Sequence, residues 1–277
     1  MPGVQHRTVR ANGVDLHVAE AGDGPPLVLV HGWPQHWWIW RKVIPRLAER
    51  YRVLAVDLRG MGWSDAPPGD YAKSTFAADL LAFLDAEGIE RAKLLTHDWG
   101  GYAGFLLALD HPDRVERLVV LDVTPPFPPR PHPLLVFVPI VLLYQLPIIT
   151  LGARLFTSST RFVRGLIKFG SGPDAEWTDT ELDAYATRLQ EPARARASAA
   201  IYRTFMRREL LARRSPDELR VPSLLLMGGA GLFYKILRPR SVGSLTVEPI
   251  PRGGHFLAEE KPDEVLARAL PFLEETR

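Results

Sequence analysis

A chain of 277 residues that is 46% hydrophobic and 24% charged should be globular, with apolar material for one large core and a smaller appendage. Its 34 basic and 32 acidic residues leave a formal charge of +2, which argues against a nucleic-acid footprint and for a small-molecule partner. The lack of cysteine rules out a disulfide framework, a thiol nucleophile and a thiolate metal site.

The N-terminal stretch MPGVQHRTVRANGVDLHV has no apolar signal-peptide region, so a cytoplasmic location is the expectation. HRTVRA and VDLHVAE flank Asn12-Gly13, predicting an opening hairpin with a two-residue turn. LVLV (27–30), VLAVD (53–57) and AKLLT (92–96) are unbroken apolar runs, as in strands buried on both faces. Between the last two, TFAADLLAFLDAEG has helical spacing, with Ser74 or Thr75 as the expected N-cap and Gly88 as the stop. RLVVLD (117–122) reads as the next strand. The alternation then breaks from about Thr124 to Leu219, and PSLLLMG (222–228) and SLTVEPI (244–250) resume the strand pattern. Strands alternating with helices predict a mostly parallel sheet covered by helices. The expected division is a core of residues 1–123 and 220–277, interrupted by a mainly helical insertion over 124–219.

Two features of the insertion allow more than one reading. Leu134–Leu151 is long and apolar enough to resemble a spanning helix, but Pro139 and Pro147, with Tyr144 and Gln145 between them, interrupt it. A cleft-lining segment is expected rather than a strong membrane anchor, and peripheral membrane contact stays open. Arg188, Arg194, Arg196, Arg203, Arg207, Arg208, Arg213 and Arg214 read as a solvated helix face, because no glycine-rich phosphate loop accompanies them.

THDWGG (96–101) follows a strand and opens the helix-like GYAGFLLALDHP. A tight strand-to-helix turn pushes its central side chain, Asp98, out at the C-terminal edge of the sheet, and small flanking residues let the backbone come close. The following helix offers N-terminal N–H groups that favour a carboxylate or an oxyanion. Taken alone, the turn reads more readily as an Asp N-cap with glycines.

Together with HGWPQHWWIW (31–40), DLRGMGWS (57–64) and GGHF (253–256), THDWGG resembles the motif set of the α/β-hydrolase family. Within it, the set is similar to the epoxide hydrolase and haloalkane dehalogenase branch, whose nucleophile is aspartate. The resemblance implies an α/β-hydrolase fold: a mostly parallel eight-stranded sheet flanked by helices, with an inserted, mainly helical cap. It implies that Asp98, a carboxylate with an ordinary pKa of ~3.9, attacks carbon directly and forms an alkyl ester. His255 would then activate water against that ester. The N–H groups of Trp33 and Trp99 would hold the negative oxygen, and a cis bond before Pro34 would turn the loop toward the nucleophile. His31 and His97 would support the loops of the site, and Asp57, Arg59, Gly60 and Gly62 would shape one of them. Thr96 departs from the family pattern, which usually has glycine or alanine there.

The acid that orients the histidine is often found after the strand equivalent to LLLMG. Here that loop, GGAGLFY (228–234), has no carboxylate. Asp122, ending RLVVLD, holds the alternative position used by some relatives and is the candidate third member; an ordinary turn-capping Asp is the competing reading. His36, His111 and His132 have no partner at metal-ligand spacing, so neither metal nor organic cofactor is expected.

The leaving atom separates the activities within the branch. Tyr144-Gln145 and Tyr202-Arg203 resemble the Tyr-Gln and Tyr-Arg cap motifs that donate to an opening epoxide, with Tyr185 a third candidate. This implies hydrolysis of a small-to-medium apolar epoxide to a vicinal diol, with substrate and water as partners. Dehalogenation of a halogenated substrate stays open, since Trp99 suits halide binding and GGAGL resembles the fluoroacetate dehalogenase loop. A weakly catalytic ligand-binding protein on the same scaffold is a third reading. A homodimer is compatible with the sequence.

Overall fold

The computed structural model describes residues 1–127, 144–210, 214–231, 234 and 240–275. The opening hairpin is β1 (Gln5–Ala11) and β2 (Val14–Ala21), closed by Asn12 and Gly13 at φ 44° and 75°, both in the left-handed region that a tight hairpin turn demands. Next come β3 (Pro26–Val30), a short helix α1 (Ile44–Leu47), β4 (Arg52–Val56), α2 (Lys73–Ala86), β5 (Ala92–His97), α3 (Asp98–Asp110) and β6 (Val115–Leu121). Among the described residues four α-helices follow: α4 (Leu146–Ser158), α5 (Arg161–Gly170), α6 (Asp179–Ala186) and α7 (Pro192–Thr204), the last running into a π-helical turn at Phe205–Glu209. The chain then returns through β7 (Ser223–Gly228), β8 (Leu245–Ile250), α8 (Leu257–Glu260) and α9 (Pro262–Glu274).

The eight strands lie in the order β1-β2-β4-β3-β5-β6-β7-β8. Only the β1/β2 and β2/β4 pairs are antiparallel, so the expected mostly parallel sheet is the observed one. Apolar side chains from α2 and α3 cover one face, and those from Trp37 to Leu47 and α9 cover the other. Such double coverage explains why β3, β5 and β6 are near-continuous Val/Leu runs without polar alternation. Parallel strands also bring the C-terminal ends of β3, β5, β6, β7 and β8 to one edge, where ligands of open α/β sheets bind.

Three expectations are corrected. Helix α2 starts at Lys73 with Ala72 as N-cap, ahead of Ser74 and Thr75. Its first free N–H groups are satisfied by acids instead: the Ala72 N–H donates to Asp70 Oδ1 at 3.1 Å and the Lys73 N–H to Glu209 Oε1 at 2.6 Å. The arginines do not form one solvated face. Arg194 is buried and donates to the Ser64 carbonyl at 2.7 Å, while Arg188 lies over the Trp63 ring and donates to the Gly62 carbonyl at 3.0 Å. Asp98 is not an N-cap: His97 caps α3 and Asp98 is its first residue.

Arg213, His132, Pro139 and most of the apolar run from Leu134 lie outside the described residues. Among the described residues, no helix is long and apolar enough to cross a membrane.

Candidate active site

The candidate nucleophile sits on a strained turn. Asp98 has φ 50°, in the left-handed region that costs a non-glycine residue energy and that marks turns aiming a side chain outward. Two glycines make room for it. A Cβ on Gly32 would collide with the Asp98 carboxylate, and one on Gly100 would collide with the backbone carbonyls of Val30 and His31. The Asp98 side chain is therefore held between the ends of β3 and β5.

The Trp33 N–H donates to Asp98 Oδ1 at 2.8 Å, and the Trp99 N–H supports the same carboxylate from the first turn of α3. Trp33 precedes Pro34 through a cis bond. Burial raises the pKa of Asp98 above the usual carboxylate value, against the stabilising effects of His255, the two N–H donors and Lys73.

His255, in the loop after β8, brings its Nε2 to 3.6 Å from Asp98 Oδ2, and its Nδ1 is 2.7 Å from Asp122 Oδ2. Asp122 ends β6 with φ 43°, and its other oxygen accepts the Gly228 N–H from the end of β7 at 2.8 Å. The three residues thus form a line, acid to imidazole to carboxylate, drawn from three strand ends. Burial works to lower the imidazole pKa, but the Asp122 hydrogen bond and the charges of Asp122, Asp98 and Glu260 outweigh it, so the net direction is upward.

Over this line stand aromatic side chains from the inserted helices. The Tyr202 ring meets Trp33 edge-on at 5.2 Å, Trp99 at 5.8 Å and Tyr144 at 5.9 Å. Phe156 packs on Trp33 and Phe205 on Trp99. Burial pushes the Tyr144 phenol up to about 12, and burial together with the charges of Tyr144 and Asp98 pushes Tyr202 well above 10, so both are neutral donors at pH 7. Gln145 donates to the Tyr144 hydroxyl at 2.9 Å. The buried Trp99 indole N–H faces the Tyr202 hydroxyl, and its hydrogen bond works against the rise of that phenol's pKa.

The remaining sequence candidates fall into supporting positions. His31 Nδ1 is 2.9 Å from the Gly32 carbonyl and its Nε2 accepts the Leu58 N–H at 3.1 Å, joining the two loops after β3 and β4. His97 Nε2 is 2.9 Å from the His255 carbonyl. Asp57 accepts the N–H groups of Trp37 and Trp63, and Arg59 pairs with Asp79, while Gly60 and Gly62 adopt positive φ. His36 contacts the Ala184 carbonyl, and burial lowers its pKa to about 4. Tyr185 is not brought to Asp98: its hydroxyl donates to Glu259 within a network with Arg41 and Glu181. Among the described residues no cluster of three His, Cys, Asp or Glu side chains could hold a metal ion.

Sequence reasoning missed Lys73. It is fully buried at the start of α2, with its ammonium 4.3 Å from the Trp99 ring centroid and 2.8 Å from Glu209 Oε2. A lysine at the first turn of an amphipathic helix gives no signal of burial. Glu260 was missed as well, because two adjacent glutamates in a short helix read as a solvated surface.

The alpha/beta hydrolase fold family profile matches residues 25–145. Beyond that segment, the chain is 32% identical to a soluble epoxide hydrolase of Corynebacterium sp. (strain C12), over 97% of this chain and 97% of the relative. It is 30% identical to a fluoroacetate dehalogenase of Burkholderia sp., over 99% and 95%. A solved epoxide hydrolase without ligand superposes with a TM-score of 0.83 at 31% identity, covering 98% of each chain. Epoxide Hydrolase A from Mycobacterium thermoresistibile does so with 0.83 at 28% identity, covering 99% of each. The chain belongs to the alpha/beta hydrolase fold family and is a hydrolase. Among its relatives the similarity supports an epoxide hydrolase-like function.

Proposed function

We propose that this protein opens a small-to-medium apolar epoxide to a vicinal diol, with Asp98 as nucleophile, His255 as base and Asp122 as its orienting acid. One observation carries the reading: the Asp98, His255 and Asp122 side chains lie in one line beneath two neutral phenols. Residues 124–219 would serve as the cap that supplies those phenols to the core of residues 1–123 and 220–277.

Asp98 Oδ2 attacks a ring carbon, and the carbon–oxygen bond breaks with its electron pair moving to oxygen. Tyr202, assisted by Tyr144, donates to that oxygen. The enzyme is left as an alkyl ester. His255 Nε2 then takes a proton from water, whose oxygen bonds to the carboxyl carbon of Asp98. The negative oxygen rests on the Trp33 and Trp99 N–H groups. Collapse breaks the bond from that carbon to Oδ2, and His255 returns its proton to the departing diol oxygen; the second proton of the water restores the tyrosine, and Asp98 is a carboxylate again with one oxygen derived from water.

A second reading, dehalogenation on the same aspartate, is favoured by the similarity to the Burkholderia dehalogenase and by the buried Trp99 indole N–H, a donor suited to a halide. Intact-protein mass spectrometry of His255→Ala after exposure to matched epoxides and haloalkanes tests both. The expected result is one added substrate mass on Asp98 with epoxides, since a variant lacking the base alkylates but cannot hydrolyse. Adducts only with haloalkanes would select the second reading, and no adduct with either class would overturn both.

A further inference from the structure

We propose that Glu260 is a positioning residue for His255: its carboxylate fixes the loop that carries the base and ties that loop to the inserted helices, so that ester hydrolysis depends on it and ring opening does not. The inference rests on the two-step reading above and concerns its second step.

The geometry is specific to the two residues that flank the base. Glu260 Oε2 accepts the Gly254 N–H at 2.8 Å, and Oε1 accepts the Phe256 N–H at 2.8 Å. Oε2 also accepts the Gly172 N–H, from beyond the end of α5, at 2.8 Å. The His255 N–H itself donates to the Gly170 carbonyl at 2.7 Å, and its carbonyl faces His97 Nε2 at 2.9 Å. The N–H groups of Gly254, His255 and Phe256 therefore end on Glu260 or on the inserted 170–172 segment, and the His255 carbonyl on His97.

This contact is made backbone to backbone. A Cβ on Gly254 would run into the main chain of Gly170, Ser171 and Gly172, and one on Gly172 would run into the Arg252 carbonyl. Glu260 can reach all three donors because α8 is a single turn: its N-cap, Phe256, has no side-chain acceptor, and the carboxylate one turn later folds back onto the free N–H groups. The neighbouring Glu259 faces the other way, to Arg41, Lys42 and Tyr185, so the two acids have separate tasks.

Electrostatics point in the same direction. Among the described residues, the charged and titratable groups that face the His255 imidazole include Asp122, Asp98, His97 and Glu260. Among them Glu260 helps hold the imidazole pKa up against burial. Only neutral imidazole can accept the proton of water, so hydrolysis rises with pH through that pKa. Removing the Glu260 charge lowers the pKa and moves the limb to lower pH, while the looser loop slows the plateau.

Glu260→Gln and Glu260→Ala, both with His255 intact, test the proposal by rapid-quench mass spectrometry across pH, following the Asp98 ester. Expected for both variants is ester formation within about 2-fold of wild type and ester hydrolysis slowed by about 10-fold or more, as a displaced catalytic group costs. The ester then accumulates in steady state, and the acid limb of hydrolysis falls to lower pH. Stoichiometric labelling of Asp98 at the wild-type rate shows that each variant is folded. Unchanged hydrolysis, or an equal loss in both steps without a moved limb, would overturn the role of Glu260. If wild type and His255→Ala form no ester, the two-step reading itself fails. An ester in wild type with variants indistinguishable from it fails this inference alone.

Discussion

Asp122 accepts two hydrogen bonds, from His255 Nδ1–H on one oxygen and the Gly228 N–H on the other, and serving both at once requires two acceptor oxygens. An asparagine has one acceptor oxygen and one NH₂ group, so in Asp122→Asn a donor must face a donor at one of these contacts. If it faces His255, the imidazole is driven to the wrong tautomer. Expected is a fall of roughly 10³- to 10⁴-fold in ester hydrolysis with ester formation largely retained, measured by the same quench assay. Wild-type hydrolysis in this variant would remove Asp122 from the catalytic line. Asp98, His255 and Asp122 were legible as candidates because their side-chain types carry chemistry and their positions fall at predicted strand ends. Lys73 and Arg194 were not, since their burial depends on an acid or carbonyl supplied from far along the chain.

At the level of elements, the turn between β5 and α3 works only because the backbone of β3 can approach it. Gly100→Ala places a methyl group against the carbonyls of Val30 and His31, main-chain atoms that cannot move without breaking the β3/β5 pairing. The expected cost is about 3 kcal/mol or more in a denaturant titration, with loss of ester formation in whatever protein remains folded. A stable and active Gly100→Ala variant would show that this close approach is dispensable. The strands themselves were readable, since buried parallel strands are bare apolar runs and the Asn12-Gly13 turn has its own chemistry. The start of α2 was not readable: its cap is Glu209, 136 positions away, and no local pattern announces such a partner.

Across the whole molecule, the Lys73–Glu209 pair fastens α2 to the π-helical turn that follows α7. Lys73→Met removes the cation that lies over the rings of Trp99 and Phe205 and leaves the largely buried Glu209 carboxylate without it. Breaking one side of such a pair is expected to cost about 3 kcal/mol in denaturant stability. The double variant with Glu209→Gln should recover part of that loss, and a Lys73→Met protein as stable as wild type would show the pair to be neutral. Fold class was legible at this scale from alternation and from several separated motifs agreeing. The path of the inserted helices over the sheet edge was not, because helix-like sequence with scattered prolines does not state which face it packs against.

The sheet is closed by a partner that arrives late: β6 pairs with β7 across the insertion, and the Gly228 N–H reaches Asp122 from 106 positions downstream. A nascent chain that has emerged only as far as the inserted helices therefore exposes β6 as a raw apolar edge, the kind of surface that recruits other unfinished chains. Loop-closure entropy must be spent on this long-range pairing before it returns any contact energy, which favours its forming after the local elements. The same pairing that covers the β6 edge also brings β7, β8 and the histidine loop up to Asp98, so the candidate site is complete only once the C-terminal part of the chain has joined the sheet.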